Sequence, residues 1–215
     1  MNPVELNTNP ETVYIIDDDP SICEGLCNLL EAVNIPSRCY ASAEDFRDHW
    51  DGQGRGCLLL DARLPGMSGV EFQEQLVQND IHLPVVFMTA HGDMAMVRKV
   101  LKSGALEFLI KPFQREELLN AIEQAFLRDR EMRQEEAIET SIRGRIGSLS
   151  ERERQVMALV TAGHLNKQIA ARLGLSEITV KLHRRKVMER MQAGSLAELV
   201  KLCERVKFSY REKRS

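Results

Sequence analysis

The chain has 215 residues, of which 43% are hydrophobic and 28% charged, a composition typical of a globular protein with one or two domains. No apolar stretch approaches the length of a membrane span and the first residues lack the pattern of a secretory signal, so we expect a cytoplasmic protein that does not bind membranes. The net charge of −3 combines −11 over residues 1–125 with +8 over residues 149–215, and this asymmetry favours nucleic-acid binding by the basic end.

Four apolar runs in the first half each precede residues capable of chemistry. They are Val13–Ile16 before Asp17 and Asp18, Cys57–Leu60 before Asp61, Val85–Met88 before Thr89, and Phe108–Ile110 before Lys111. Each run has the length of a buried strand, and helical patterns separate the runs, so the strands should be parallel. The predicted helices are Ser21–Ala32, Ala43–Trp50, Val70–Gln78, Ala95–Lys102 and Arg115 to about Arg128, with a weak strand at Ser37–Tyr40. This order predicts a doubly wound (βα)5 domain of the α/β class.

The second half predicts an all-α domain of four helices. Its helices are Glu151–Ala162, Asn166–Leu173, Glu177–Met191 and Ser195 to about Val206. Ser150 and Glu153 form a capping-box pattern, and a short turn joins the second and third helices as in a helix-turn-helix. We expect the fifth helix of the first domain to extend until Arg143–Ser148 breaks it. The expected boundaries are residues 1–126, an extended helix and linker at 127–148, and a second domain at 149–215.

The strand endings predict a magnesium and phosphoryl site, because the carboxyl ends of parallel strands meet at one edge of the sheet. The carboxylates of Asp17, Asp18 and Asp61 would repel one another without a cation, and Mg²⁺, or Mn²⁺ as an alternative, suits oxygen ligands. A carboxylate at such a site can attack phosphorus, while the Lys111 ammonium offsets charge on the transferred group. The remaining candidates for phosphate binding are the Thr89 hydroxyl and the Ala90 backbone N–H.

Residues Val13 to about Phe126 resemble the receiver domain of two-component response regulators. The matching motifs are Asp17-Asp18, the run from Asp61 to Gly69, Thr89-Ala90 and Lys111-Pro112-Phe113, with His91-Gly92-Asp93 and Gly104-Ala105 resembling the FixJ subgroup. The resemblance implies that Asp61 is the phosphoacceptor. The implied metal ligands are Asp17, Asp18, Asp61 and the backbone carbonyl of Arg63. The implied switch residues are Thr89 and Phe108, with a cis Lys111–Pro112 bond. The additional carboxylate, Asp19, is interpreted as a helix-start residue.

The helix predicted at Glu177–Met191 is the candidate for DNA recognition. Its apolar stripe should face the core, which leaves Lys181, Leu182 and Arg185 on the side that enters a major groove. Residues Leu149 to about Leu202 are similar to LuxR-type DNA-binding domains, through Leu149-Ser150, Arg152-Glu153, Asn166 to Ala170, Ser176, Thr179-Val180-Lys181 and His183. The resemblance implies that Lys181, Leu182 and Arg185 read bases and that His183 is structural. The further DNA-binding candidates are Thr179, Arg184 and Lys167.

Together the two resemblances predict a phosphorylation-activated transcriptional regulator of the FixJ/NarL type. The expected partners are a sensor histidine kinase, double-stranded DNA and, on activation, a second copy of the chain. The chain should not be an enzyme beyond slow self-dephosphorylation. The alternatives are a receiver-fold regulator controlled by protein contacts and a magnesium-dependent phosphohydrolase. A flavodoxin-like flavin binder and a haloacid-dehalogenase-type phosphatase fit less well, because three aspartates follow the first strand and Ser21 departs from the phosphatase motif.

The five cysteines are odd in number and lack a CxxC pattern, so they predict neither a disulfide framework nor a zinc site. Cys23 and Cys27 lie one helical turn apart, which makes a redox switch conceivable. Small buried core residues are the favoured interpretation.

Overall fold

The computed structural model describes residues 10–90 and 106–210, and the chain divides near residue 132 into two compact units. The helix predicted at Ala95–Lys102 and the motifs His91-Gly92-Asp93 and Gly104-Ala105 lie outside the described residues. Among the helices that are described, none is both long and apolar enough to cross a membrane.

The N-terminal unit is built on a parallel sheet of five strands. These are β1 (Thr12–Ile16), β2 (Ser37–Tyr40), β3 (Gly56–Asp61), β4 (Val85–Thr89) and β5 (Glu107–Ile110), in the order β2-β1-β3-β4-β5. All neighbouring pairs run parallel, as the alternation of apolar runs and helical patterns predicts. The strand order reverses direction next to β1, so a crevice forms at the carboxyl ends of β1 and β3.

Helices cover both faces of this sheet. They are α1 (Pro20–Glu31), α2 (Ala43–His49), α3 (Gly69–Gln78) and the first part of α4 (Arg115–Ser148). Side chains of β3 alternate between the two resulting cores: Leu58 and Leu60 pack with Phe46 and Phe72 on one face, whereas Leu59 packs with Leu118 and its neighbours on the other. Because both faces are buried, the strands read as continuous apolar runs and not as alternating ones.

Helix α4 continues through Arg143–Ser148, where the sequence predicted a break. Gly144 and Gly147 are weak helix formers, but Ile142 and Ile146 pack into the core of the C-terminal unit and hold the backbone helical. Near the middle of α4, the buried Asp129 accepts a hydrogen bond from the backbone N–H of Gly56, at 3.2 Å. This bond fastens the helix to the start of β3.

Every regular element in the described part of the C-terminal unit is a helix. After the end of α4 come α5 (Glu151–Thr161), α6 (Asn166–Leu173), α7 (Glu177–Met191) and α8 (Leu196–Arg205). The predicted stripe of Val180, Val187 and Met191 is fully buried, and Ser150 and Glu153 form the predicted capping box at the start of α5. Helix α6 ends at Gly174, whose φ of 66° is the left-handed conformation that suits glycine. The predicted α/β domain followed by an all-α domain is confirmed.

Candidate functional site

The strand endings meet at one edge of the sheet as the sequence predicts. Residue Asp17 follows β1, Asp61 ends β3 and Thr89 ends β4, while Lys111 follows β5. The register places Ile16 beside Leu60 and Asp61 beside Met88, so the first two endings are neighbours. The parallel arrangement therefore brings together residues that lie 94 positions apart in sequence, Asp17 and Lys111.

The ammonium group of Lys111 bridges the two acidic strand endings. Its Nζ atom lies 2.6 Å from Oδ2 of Asp17 and 2.6 Å from Oδ2 of Asp61. The side chain of Asp17 is 1% exposed, that of Asp61 14% and that of Lys111 16%, so water screens this cluster poorly. Two carboxylates sharing one cation leave an excess of negative charge, which favours a second cation at the same place.

Burial and charge shift the ionisation of this cluster. Burial raises the pKa of Asp17, and the nearby Asp61 carboxylate raises it further, while the hydrogen bonds from Lys111 and from the backbone of Asp19 act in the opposite direction. For Lys111 burial is the largest influence and lowers the pKa, but the hydrogen bonds and charges of the two aspartates together raise it. The lysine therefore remains an ammonium at neutral pH.

The other two aspartates near this edge, Asp18 and Asp19, differ in their surroundings. Asp18 is exposed beside the cluster, whereas Asp19 accepts hydrogen bonds from Ser21 as the N-cap of α1, consistent with its interpretation as a helix-start residue. The backbone N–H of Arg63 donates to Oδ1 of Asp61 at 2.7 Å. Among the described residues no three acidic, His or Cys side chains are close enough to form a metal cluster. Two carboxylates completed by a backbone carbonyl and water are a donor set that fits Mg²⁺.

The β3–α3 connection folds tightly against the acceptor strand. Gly69 begins α3, and a Cβ atom there would lie 2.6 Å from the carbonyl oxygen of Asp61. Glycine is therefore required at this position, because any side chain would push the helix away from the strand that carries Asp61.

The residues predicted to bind or sense the phosphoryl group lie on the β4 and β5 side of the edge. Thr89 is buried at the end of β4 and Ala90 follows it with its side chain exposed. Phe108 is half-buried and packs against the core on the α2 and α3 face. The backbone N–H of Lys111 donates to the carbonyl of Thr89 at 2.7 Å, and the Lys111–Pro112 bond is cis.

The C-terminal unit presents three of its predicted DNA-binding side chains on the outer side of α7. Lys181 and Arg185 are exposed, and Leu182 is 52% exposed although it is apolar. Arg185 also pairs with Glu189, one turn later, at 2.7 Å, and both side chains are largely exposed. Such an exposed pair contributes little to stability, so Arg185 can exchange its partner for a nucleic acid at little cost.

The other three predicted DNA-binding residues differ in their surroundings. Lys167 is exposed near the start of α6, and the half-buried Thr179 lies in the first turn of α7. Arg184 is half-buried and donates to Oδ1 of Asn166 at 2.7 Å, which ties α7 to α6. His183 is also half-buried.

The sequence did not predict the ion pair that Arg190 forms within the C-terminal unit. Arg190 of α7 donates to Oε2 of the buried Glu153 at 2.6 Å and to the carbonyl of Ser148 at 3.1 Å. The capping-box pattern identified Glu153, but nothing local pointed to a partner 37 residues away. Arg190 therefore holds α7 against the start of α5.

The sheet-edge cluster and the exposed cations of a helix-turn-helix define a two-component response regulator. Residues 13–123 match the response regulator receiver domain, and residues 147–203 match the bacterial regulatory proteins of the LuxR family. The chain belongs to the response regulators of the FixJ/NarL type, with a receiver domain followed by a LuxR-type DNA-binding domain. It is a phosphorylation-activated transcriptional regulator.

Relatives match almost the whole chain. Nodulation protein W of Bradyrhizobium diazoefficiens is 42% identical over 89% of this chain and 85% of its own length. Response regulator protein TodT of Pseudomonas putida is 38% identical over 95% of this chain and 90% of its own length. The structure of the response regulator StyR, 45% identical, superposes with a TM-score of 0.76 over 91% of this chain and 98% of that one. Full-length FixJ from B. japonicum, 36% identical, gives 0.57 over 93% and 98%.

Proposed function

We propose that Asp61 accepts the phosphoryl group from a sensor histidine kinase. The observation that carries this proposal is the Lys111 ammonium 2.6 Å from both the Asp61 and the Asp17 carboxylates at the sheet edge. A carboxylate oxygen of Asp61 attacks the phosphorus of a phosphohistidine that carries a proton on its other ring nitrogen. The new O–P bond forms, and the P–N bond breaks as the histidine leaves as a neutral imidazole. Lys111 offsets the charge that the phosphoryl oxygens carry during this transfer.

The same edge supplies the ligands for a divalent cation. Asp17, Asp18, Asp61 and the backbone carbonyl of Arg63 would hold Mg²⁺ or Mn²⁺. When bound, such an ion supplies positive charge that offsets repulsion between carboxylates and the incoming phosphoryl group. The proposal includes only slow hydrolysis of the acyl phosphate by this chain alone.

Residues at the ends of β4 and on β5 respond to the phosphoryl group. The Thr89 hydroxyl and the Ala90 backbone N–H donate to phosphoryl oxygens, and movement of Thr89 allows the half-buried Phe108 to turn inward. Because Phe108 lies on the outer strand of the sheet, this step changes the surface formed by β5 and the start of α4. That surface then joins two copies of the chain into a homodimer.

The dimer presents two recognition helices to paired half-sites on double-stranded DNA. Lys181, Leu182 and Arg185 read base edges from the outer side of α7. Thr179 and Lys167 contact the phosphate backbone, and Arg184 does so while it also ties α7 to Asn166. The functional boundaries that we propose remain residues 1–126 for phosphotransfer, 127–148 for the connection and 149–215 for DNA binding.

Asp61→Asn tests the phosphoacceptor. Incubation of the full chain with Mg²⁺ and a small phosphodonor such as acetyl phosphate should add one phosphoryl group to the unaltered protein and none to the variant, because the amide lacks the nucleophilic carboxylate. Intact-protein mass spectrometry measures the addition. Asp48→Asn, a change to an exposed carboxylate on α2, is the matched control and should label normally. Undiminished labelling of the Asp61 variant would remove the assignment.

Sedimentation tests the link between phosphorylation and assembly. The full chain should shift from monomer towards dimer when a stable phosphoryl mimic such as beryllofluoride is added with Mg²⁺, and its affinity for an operator should rise in parallel. Asp61→Asn should show neither change under the same conditions. If the mimic binds and both properties stay constant, the regulator is controlled by other protein contacts and not by phosphate.

A further inference from the structure

Three cysteines lie close together between α1 and β2, although the sequence spacing indicated proximity for only two of them. Cys23 and Cys27 lie on α1, and β2 brings Cys39 against them. The Sγ atoms of Cys27 and Cys39 are 2.6 Å apart, and the Cys39 thiol donates to the backbone carbonyl of Cys23 at 3.4 Å. The sequence drew attention to Cys23 and Cys27 one helical turn apart, whereas the fold places Cys27 next to Cys39.

We propose that Cys27 and Cys39 are an oxidative modification site, at which a peroxide converts the two thiols into an intramolecular disulfide. All three cysteines are free thiols, and Cys39 is exposed while Cys27 is half-buried. A disulfide requires an S–S distance of about 2.05 Å, so the sulfur atoms need little further approach from their present positions. The crosslink would join the helix that follows the Asp17 loop to the edge strand of the sheet.

The chemistry proceeds in two balanced steps. The Cys39 sulfur attacks one oxygen of hydrogen peroxide, the O–O bond breaks, and water leaves, so that Cys39 becomes a sulfenic acid. The Cys27 sulfur then attacks the sulfenic sulfur, the S–S bond forms, and the displaced hydroxide takes the Cys27 proton and leaves as water. Two thiols and one peroxide thus give one disulfide and two water molecules.

The exposure of Cys39 favours its reaction with peroxide, whereas the weak acidity of its thiol slows that reaction. The exposed Cys39 meets peroxide first, and Cys27 resolves the intermediate. The Cys39 residue is exposed as a whole, but partial desolvation of its sulfur atom and the hydrogen bond with Cys27 raise the pKa of the thiol, so only a small fraction is thiolate at neutral pH. The site therefore reacts slowly and responds to sustained exposure to peroxide, in contrast to a fast sensor with an acidic thiol.

The cysteine cluster contacts the Asp17 loop, and a crosslink within the cluster would stabilise the receiver. The Cys23 thiol, one turn before Cys27, donates to the backbone carbonyl of Asp17 at 3.5 Å. A Cys27–Cys39 crosslink also closes a short loop through α1 and the first part of β2, which restricts the unfolded chain and stabilises the receiver. Oxidation should therefore raise the urea concentration at which the receiver unfolds.

The experiment uses the full chain, reduced and then treated with hydrogen peroxide over a time course. Peptide mass spectrometry without reduction should find a Cys27–Cys39 peptide pair two hydrogen atoms lighter than its reduced form. Cys39→Ser should abolish the pair, and Cys27→Ser should leave a Cys39 sulfenic acid that dimedone traps. Cys23→Ser, which removes a neighbouring thiol on the same helix, is the matched control and should still form it.

Stability measurements complete the test. The fluorescence of the single tryptophan, Trp50, which packs in the receiver core, should report a higher urea midpoint after oxidation of the unaltered protein and no rise in Cys39→Ser. A pair between Cys23 and Cys39 would overturn the assignment. So would oxidation that ends in Cys39 sulfinic acid with no crosslink, or a disulfide that joins two chains.

Discussion

The two units each bury a carboxylate against a cation, but they do so with opposite consequences. Asp17 of the receiver is 2% exposed and Glu153 of the DNA-binding unit is 3% exposed. Burial raises the pKa of Asp17, and its cation, Lys111, is shared with Asp61. Burial would also raise the pKa of Glu153, but the hydrogen bonds with Ser150 and the charges of Arg190 and Lys186 outweigh it and lower that pKa.

This difference separates a reactive site from a structural one. In the receiver, one ammonium serves two carboxylates, so negative charge is left over and the site favours a further cation. Around Glu153, the Ser150 backbone N–H donates at 2.8 Å and the Arg190 guanidinium at 2.6 Å to the same oxygen, Oε2, so the charge is already compensated. We therefore expect the receiver cluster to respond strongly to divalent cations and the Glu153 cluster to respond to none.

The largest effect should follow Lys111→Met, which removes the shared cation. The variant leaves two poorly solvated carboxylates facing each other, and the receiver should lose about 3 kcal/mol of unfolding free energy in EDTA. Excess Mg²⁺ should restore more stability in the variant than it adds to the unaltered protein, because the ion replaces the missing charge. Urea unfolding followed by Trp50 fluorescence measures both quantities.

Arg128→Met is the matched control for this variant. Arg128 forms an exposed pair with Glu131 at 3.4 Å, and the loss of such a pair should change stability by less than about 0.5 kcal/mol with no dependence on Mg²⁺. If Lys111→Met is as stable as this control in EDTA, the two aspartates are not held together by the lysine in solution, and the contrast between the units disappears.

The second effect should follow Lys181→Ala, which tests a cation that is not engaged within the protein. Among the described residues, the side chain of Lys181 has no hydrogen-bond or ion-pair partner, in contrast to that of Arg190. Truncation should cost about 1–3 kcal/mol on the specific operator and relax the base preference at one position. Binding-site selection from random DNA measures the preference, with the exposed Lys201→Ala on α8 as the control. Equal weakening on every sequence would make Lys181 a phosphate contact only.

Local patterns predicted the parts of this molecule that depend on neighbours in sequence. The apolar runs predict the strands, and because parallel strands end at one edge of the sheet, they also predict that Asp61 and Lys111 lie close together. The Ser150–Glu153 cap was predictable because its atoms are three residues apart. The helix cap and the strand endings could therefore be predicted from hydrophobic periodicity and turn-forming residues alone.

Pairings between distant segments could not be predicted in this way. Asp129 bonds to Gly56 across 73 residues and Cys39 meets Cys27 from a strand that the sequence marked as weak. The predicted break at Arg143–Ser148 was wrong, because packing of Ile142 and Ile146 outweighs the low helix propensity of two glycines. In each case the contact that decides the structure comes from another element, so the pattern of a single segment does not predict it.

The smallest effect should follow Glu153→Gln, which removes the charge from the structural carboxylate. Because the folded state lowers the pKa of Glu153, its ionised form stabilises the DNA-binding unit at pH values above the unfolded-state pKa of about 4.3. This contribution is lost as the pH falls through the lower pKa of the folded state. The variant should be about 1 kcal/mol less stable at pH 7, since Arg190 is 45% exposed and water partly solvates it once it is unpaired. Calorimetry of the full chain should show this gap closing on acidification, whereas Glu204→Gln, at an exposed site, should show no gap at any pH. A gap that persists at low pH would mean that Glu153 acts through its shape and hydrogen bonds, and that its charge has no part in the contrast with Asp17.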